Sequence, residues 1–176
     1  MEFLREGSSR SHKNRKFKDF TKIKLTENID KLNYLWDVLD HNGEQIERDM
    51  RIITREITPV APGIYSGAYF IHENRIYTGT SIKIAPSVVI DASNGPIYIG
   101  DNVEIMPHSY IKGPVSIGAN SKIKAGAKIY EDTGIGEWCK IGGEVENSII
   151  QSYTNKQHEG FLGHSFLSEW INIGAD

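Results

Sequence analysis

A single cysteine in 176 residues, Cys139, excludes an internal disulfide framework and any multi-cysteine zinc site. It occupies a position otherwise held by small residues, so it reads as buried core, and a reducing, cytoplasmic setting is expected. No apolar run approaches the roughly 18 residues that a membrane span needs. The polar segment 1–18 has no apolar stretch of the signal-peptide kind. Net charge is only −3, which gives no basis for a nucleic-acid partner. No glycine-rich nucleotide loop opens the chain, and no alternation of strand and helix precedes its apolar region.

What the chain does have is a stride of six. Isoleucine recurs at Ile99, Ile105, Ile111, Ile117, Ile123, Ile129, Ile135 and Ile141, and the pair Ile84 and Ile90 keeps the interval. Phe161, Leu167 and Ile173 resume it after an interruption. A helix repeats its apolar face at three and four residues and a strand at two, so neither accounts for six. A solenoid does, with one short strand and one corner per repeat. Glycine often follows the isoleucine (Gly100, Gly118, Gly136, Gly142), as a corner with positive φ or close backbone approach requires. The fifth hexad position is small or β-branched: Val103, Ser109, Ser121, Ala127, Thr133, Cys139 and Val145.

The chain divides into three parts. Residues 1–25 form a flexible lead, basic between Arg10 and Lys24. Residues 26–63 form a helical linker. Thr26 caps a first helix with Ile29, Leu32, Trp36 and Leu39 on one face, and His41-Asn42-Gly43 ends it. A second helix, Glu44 to Ile57, has Ile46, Met50 and Ile53 on one face. Residues 64–176 form the solenoid. Its phase slips by two residues between Ile141 and Phe161, which predicts an insertion looped out at a corner. The chain stops in mid-hexad, which reads as a truncated solenoid.

This pattern resembles the hexapeptide-repeat acyltransferase family, whose fold is a left-handed parallel β-helix with three hexads per coil. The resemblance implies a mainly β chain of that fold behind the N-terminal helical segment. It sharpens at Asn155-Lys156-Gln157-His158-Glu159-Gly160-Phe161-Leu162-Gly163 and Asn172-Ile173-Gly174-Ala175. These are similar to the acetyltransferase half of the bifunctional glucosamine-1-phosphate acetyltransferase/UDP-GlcNAc pyrophosphorylase (GlmU) family. Trp36 to Asp49, Gly95 to Gly100, Lys128-Ile129-Tyr130 and Gly142 to Val145 add to the likeness. The resemblance places His158 at the catalytic histidine and Asn172 at an active-site asparagine. Phe161 stands where the family has a tyrosine touching the sugar phosphate. Lys156 and the Asn155 region are the candidates for holding that phosphate, with Lys140 as a further cation.

The resemblance therefore implies acetyl transfer from acetyl-CoA to an amino-sugar 1-phosphate, in nucleotide-sugar synthesis of the UDP-GlcNAc type. An imidazole titrating near neutral pH suits deprotonation of an amine nucleophile. The family assembles as a homotrimer with sites between subunits, and magnesium belongs only to its separate nucleotidyltransferase domain. The acetyl-CoA groove is expected to need later coils. The alternative is a non-catalytic, oligomerising or regulatory β-helix attached to a nucleotidyltransferase. No metal site is expected, because His158 and His164 are six apart and should fall on successive faces.

Overall fold

The computed structural model describes residues 31–54 and 57–174. The basic lead, Thr26 and Ile29 lie outside the described residues, as does Ala175. From Tyr69 onward the chain is a β-solenoid of six coils whose strands form three six-stranded parallel sheets. The first face holds Tyr69–Ile71, Val89–Asp91, Tyr110–Lys112, Lys128–Ile129, Glu144–Glu146 and Phe161–Gly163. The second holds Ile76–Thr78, Ile97–Ile99, Val115–Ile117, Thr133–Ile135, Ile149–Ile150 and Phe166–Leu167. The third holds Lys83–Ile84, Glu104–Ile105, Lys122–Ile123, Lys140–Ile141, Asn155–Lys156 and Asn172–Ile173.

The isoleucines do what their spacing predicts. Ile90, Ile111 and Ile129 stack on the first face, Ile99, Ile117 and Ile135 on the second, and Ile105, Ile123 and Ile141 on the third. All are essentially inaccessible to water. Burying such a side chain contributes about 1.5–3 kcal/mol, so three columns supply most of the driving force. The fifth hexad position is also buried. Its hydroxyls are satisfied between coils: Ser121 Oγ donates to Gly136 O and accepts from Cys139 N, 2.8 and 2.9 Å away. Cys139 is buried, and burial pushes its thiol up from the ordinary value.

Of the two reasons expected for the glycines after the isoleucines, positive φ and close backbone approach, the structure shows the second. None has positive φ. A Cβ on Gly118 would lie 2.5–2.7 Å from the backbone of Gly136 and Glu137, and one on Gly136 would lie 2.5 Å from Ser152 N. Close packing of successive coils selects them. The left-handed conformation falls three residues past the inward residue of the second-face strands, on Asn102, Asn120, Trp138, Tyr153 and Trp170. The amides of all five donate to the coil before.

The helical segment is shorter than predicted. Helix α1 is Asp37–Asp40 and α2 is Asn42–Ile53. Gly43 does not end a helix: it lies inside α2, because a Cβ there would collide with Asp132 Oδ1. Asn42 Nδ2 donates to Asp132 O at 2.6 Å, docking α2 against the second face. Ile46 and Met50 are buried as expected, whereas Ile53, Leu32 and Trp36 are exposed.

Candidate functional site

The candidate residues lie where the coil length changes. Third-face strands are 18 residues apart from Ile105 to Ile123 and from Ile123 to Ile141. The next step, Ile141 to Lys156, takes only 15. The phase slip is thus a shortened coil, with no looped-out insertion: strand pairing continues unbroken through Val145↔Leu162 and Ile150↔Leu167. The first-face member of the inner column is Leu162, so Phe161 points outward and is 61% exposed. Its ring lies over Gly163, which has no Cβ to displace it.

The shortening puts a lysine into the isoleucine column. Lys156 pairs in register with Ile141 on one side and Ile173 on the other, and is 5% exposed. The corner after Ile141 consists of Gly142 and Gly143 alone, whereas the corner stacked beside it runs from Gln157 to Gly160. A long corner beside a short one turns carbonyls toward the interior. Lys156 Nζ meets three of them, donating to Gly142 O, His158 O and Gly160 O at 2.8, 3.0 and 2.7 Å. An ammonium has three protons, and all three are used. Gly143, with φ +69°, leaves room for it: a Cβ there would lie 2.6 Å from Nζ. Burial pushes the ammonium's pKa down and the neighbouring Glu159 opposes that shift.

Lys156 is the residue expected to hold a sugar phosphate, and the structure places it in the inward column. Its ammonium is turned inward and fully engaged with the backbone. Among the outward residues of the third face, Lys140, Asn155 and Asn172 follow one another in register. Lys140 is exposed and offers the cation beside the two amides.

His158 sits on the exposed corner between the third and first faces, directly after the Asn155–Lys156 strand. Asn172 is exposed on the neighbouring strand, paired with Asn155. The third face and the corner that follows it therefore carry an imidazole, two carboxamides and the ammonium of Lys140, while the Phe161 ring lies on the first face over Gly163. Such a set can accept a proton and hydrogen-bond a polyhydroxylated ligand. His164 stands on a different corner, beside Glu131, Asp132, Glu146 and Asn147. Among the described residues, no three or more His, Cys, Asp or Glu side chains are grouped to hold a metal ion.

Sequence reasoning missed the inward role of Lys156 and the stacking of Tyr153 on Trp170, whose ring centroids are 4.5 Å apart. Both were detectable by restarting the hexad phase at Ile150 instead of Phe161. That places Ser148, Thr154 and Lys156 inside, and Tyr153 at the left-handed corner position held by Trp138 one coil earlier.

Known proteins match part of the chain. Residues 96–131 match the family model described as bacterial transferase hexapeptide (six repeats). The bifunctional protein GlmU of Acidithiobacillus ferrooxidans is 32% identical over 102 residues, covering 57% of this chain and 21% of that protein. The bifunctional protein GlmU of Synechococcus elongatus is 29% identical over 130 residues, 62% of this chain and 29% of its own length. That of Methylococcus capsulatus is 28% identical over 122 residues, 68% and 25% respectively. The chain thus spans about a fifth to three tenths of the length of these relatives. By its repeats, its three parallel faces and these relatives, it is a hexapeptide-repeat β-solenoid similar to one portion of the bifunctional GlmU proteins.

Proposed function

We propose that this solenoid is the acyl-transfer part of a GlmU-like protein, moving an acetyl group from acetyl-CoA to an amino-sugar 1-phosphate. The observation that carries the reading is the placement of His158 on an exposed corner held by the backbone clamp of Lys156, three residues past Asn155, which pairs with Asn172. In this reading the His158 imidazole accepts the proton that the amine loses as its nitrogen attacks the thioester carbonyl; the carbon–sulfur bond then breaks, and the departing coenzyme A thiolate takes up that proton. General-base assistance of this kind contributes about 10²–10⁴-fold. Asn172 hydrogen-bonds the sugar or the developing oxyanion. Asn155 and Lys140 face the phosphate, and Phe161 supplies an apolar wall where a tyrosine hydroxyl would otherwise be. The setting is cytoplasmic and the assembly a homotrimer. Among the described residues, no helix is long and apolar enough to cross a membrane.

One observation favours the non-catalytic alternative. Trp138, Tyr153 and Trp170 form an exposed aromatic column on the corner between the second and third faces. Holding bulky residues in left-handed backbone there costs stability, and the surface they make suits packing against another subunit. Release of free coenzyme A from acetyl-CoA in the presence of glucosamine 1-phosphate decides between the readings. The full-length protein should transfer, and its His158→Ala variant should lose about a hundredfold or more. Unchanged transfer in the variant removes His158 from the mechanism, and no transfer by the parent favours the alternative.

A further inference from the structure

The shortened coil presents a buried lysine that the proposed chemistry does not use. At this level of the third face the column offers an isoleucine in every neighbouring coil described above, and an apolar side chain would fill the space. Lysine is a costly occupant of a core unless its charge is compensated. Here compensation is complete and directional. Three carbonyls from two different corners converge on one nitrogen, two of them within the four residues Gln157–Gly160. One of these, Gly160 O, also accepts from Glu144 N at 3.1 Å, so the corner is tied to the preceding coil twice. His158 itself contributes a carbonyl, and its side chain leaves from the same residue.

We propose that Lys156 is the positioning residue of the His158 corner: its ammonium ties Gly142 O, His158 O and Gly160 O together and so fixes the direction in which the imidazole leaves the solenoid. The lysine does not touch substrate. It acts by removing the freedom of a four-residue corner that would otherwise be held at its ends alone. That the imidazole is functional rests on the reading given under Proposed function; the clamp itself does not.

The test compares Lys156→Met, which keeps length and apolar stem but has no donor, with the parent. In the parent, the Nζ protons of Lys156 should appear as slowly exchanging signals in nitrogen-proton correlation spectra at mildly acidic pH. In the variant, hydrogen exchange of the Glu144 amide, which donates to Gly160 O, and of the Gly142 amide, which donates to Lys156 O, should speed at least about tenfold, with Lys124 N, which donates to Ile141 O, unchanged as the control. Exchange unchanged at the corner, or raised equally in every coil, overturns the proposal and makes Lys156 mere filling. If Lys156→Met does not fold, the Nζ signals of the parent decide: fast exchange with water overturns the clamp, and slow exchange supports it. Activity separates the two layers. With transfer present in the full-length protein, Lys156→Met should lower kcat about tenfold or more while leaving KM for acetyl-CoA unchanged. A loosened corner together with a His158→Ala variant that transfers normally upholds the clamp and refutes the catalytic reading instead.

Discussion

Replacing Gly118 and Gly126 by alanine, one at a time, separates the two reasons a solenoid uses glycine. Gly126 has φ +73° and open space around it: a Cβ would find nothing within 4 Å. Its alanine variant pays only the left-handed backbone penalty, about 1–2 kcal/mol. Gly118 has no such backbone requirement, yet its Cβ would lie 2.5–2.7 Å from three backbone atoms of the next coil. Ordinary contact needs close to an ångström more. That displacement must also stretch the 2.7 Å bond from Gly118 N to Ile135 O. Overpacking costs about 1–3 kcal/mol and a strained hydrogen bond about 1 kcal/mol more. Gly118→Ala should therefore lose about 3 kcal/mol, roughly twice the loss at Gly126. Urea unfolding followed by far-ultraviolet circular dichroism measures both. A Gly126 variant as damaged as the Gly118 variant, or more so, refutes the argument that coil packing selects these glycines.

Three further outcomes are expected. Burial pushes the Asp132 carboxyl up, and Glu131, Glu47 and Glu146 add to the shift. Its contribution to stability is therefore present below the ordinary carboxylate value and lost as pH rises through the raised one. Asp132→Asn, which also tolerates the φ of +57° there, should be more stable than the parent at pH 7, by less than about 1 kcal/mol, with the gain vanishing near pH 3 in urea titrations. Cys139 should resist iodoacetamide at pH 8 in the folded protein and react on unfolding, since its thiol is buried and its pKa raised; rapid alkylation of the native state would contradict this. Ile123→Ala, in the middle of the third-face column, should cost about 2–5 kcal/mol in the same unfolding assay, and a loss under 1 kcal/mol would show the column to be loosely packed.

Much of the fold is legible because a solenoid writes its contacts into local spacing. Each isoleucine from Ile99 to Ile141 meets the residue one coil away, so a fixed stride is itself a contact map. The legibility ends where the coil shortens. Phe161 and Leu162 are adjacent and both apolar, and spacing alone does not say which one faces in. The pairing Val145↔Leu162 decides it, and that pairing follows from the two-residue corner at Gly142 and Gly143. The same slip hid Lys156, because a lysine reads as surface unless the carbonyls around it are known. Gly43 misled for a related reason: its use is a close approach to Asp132, far away in sequence, which no local signal at a helix end reports. The exposed histidine at 158 was legible through resemblance alone; its anchoring was not.

The central claim is that His158 serves the amine that receives the acyl group. A crystal structure of the full-length protein with coenzyme A and glucosamine 1-phosphate tests it most directly. The account predicts the sugar amine within about 3 Å of a His158 ring nitrogen, with Asn172 in contact with the same ligand. A sugar phosphate bound at another corner, with His158 facing solvent, would contradict it.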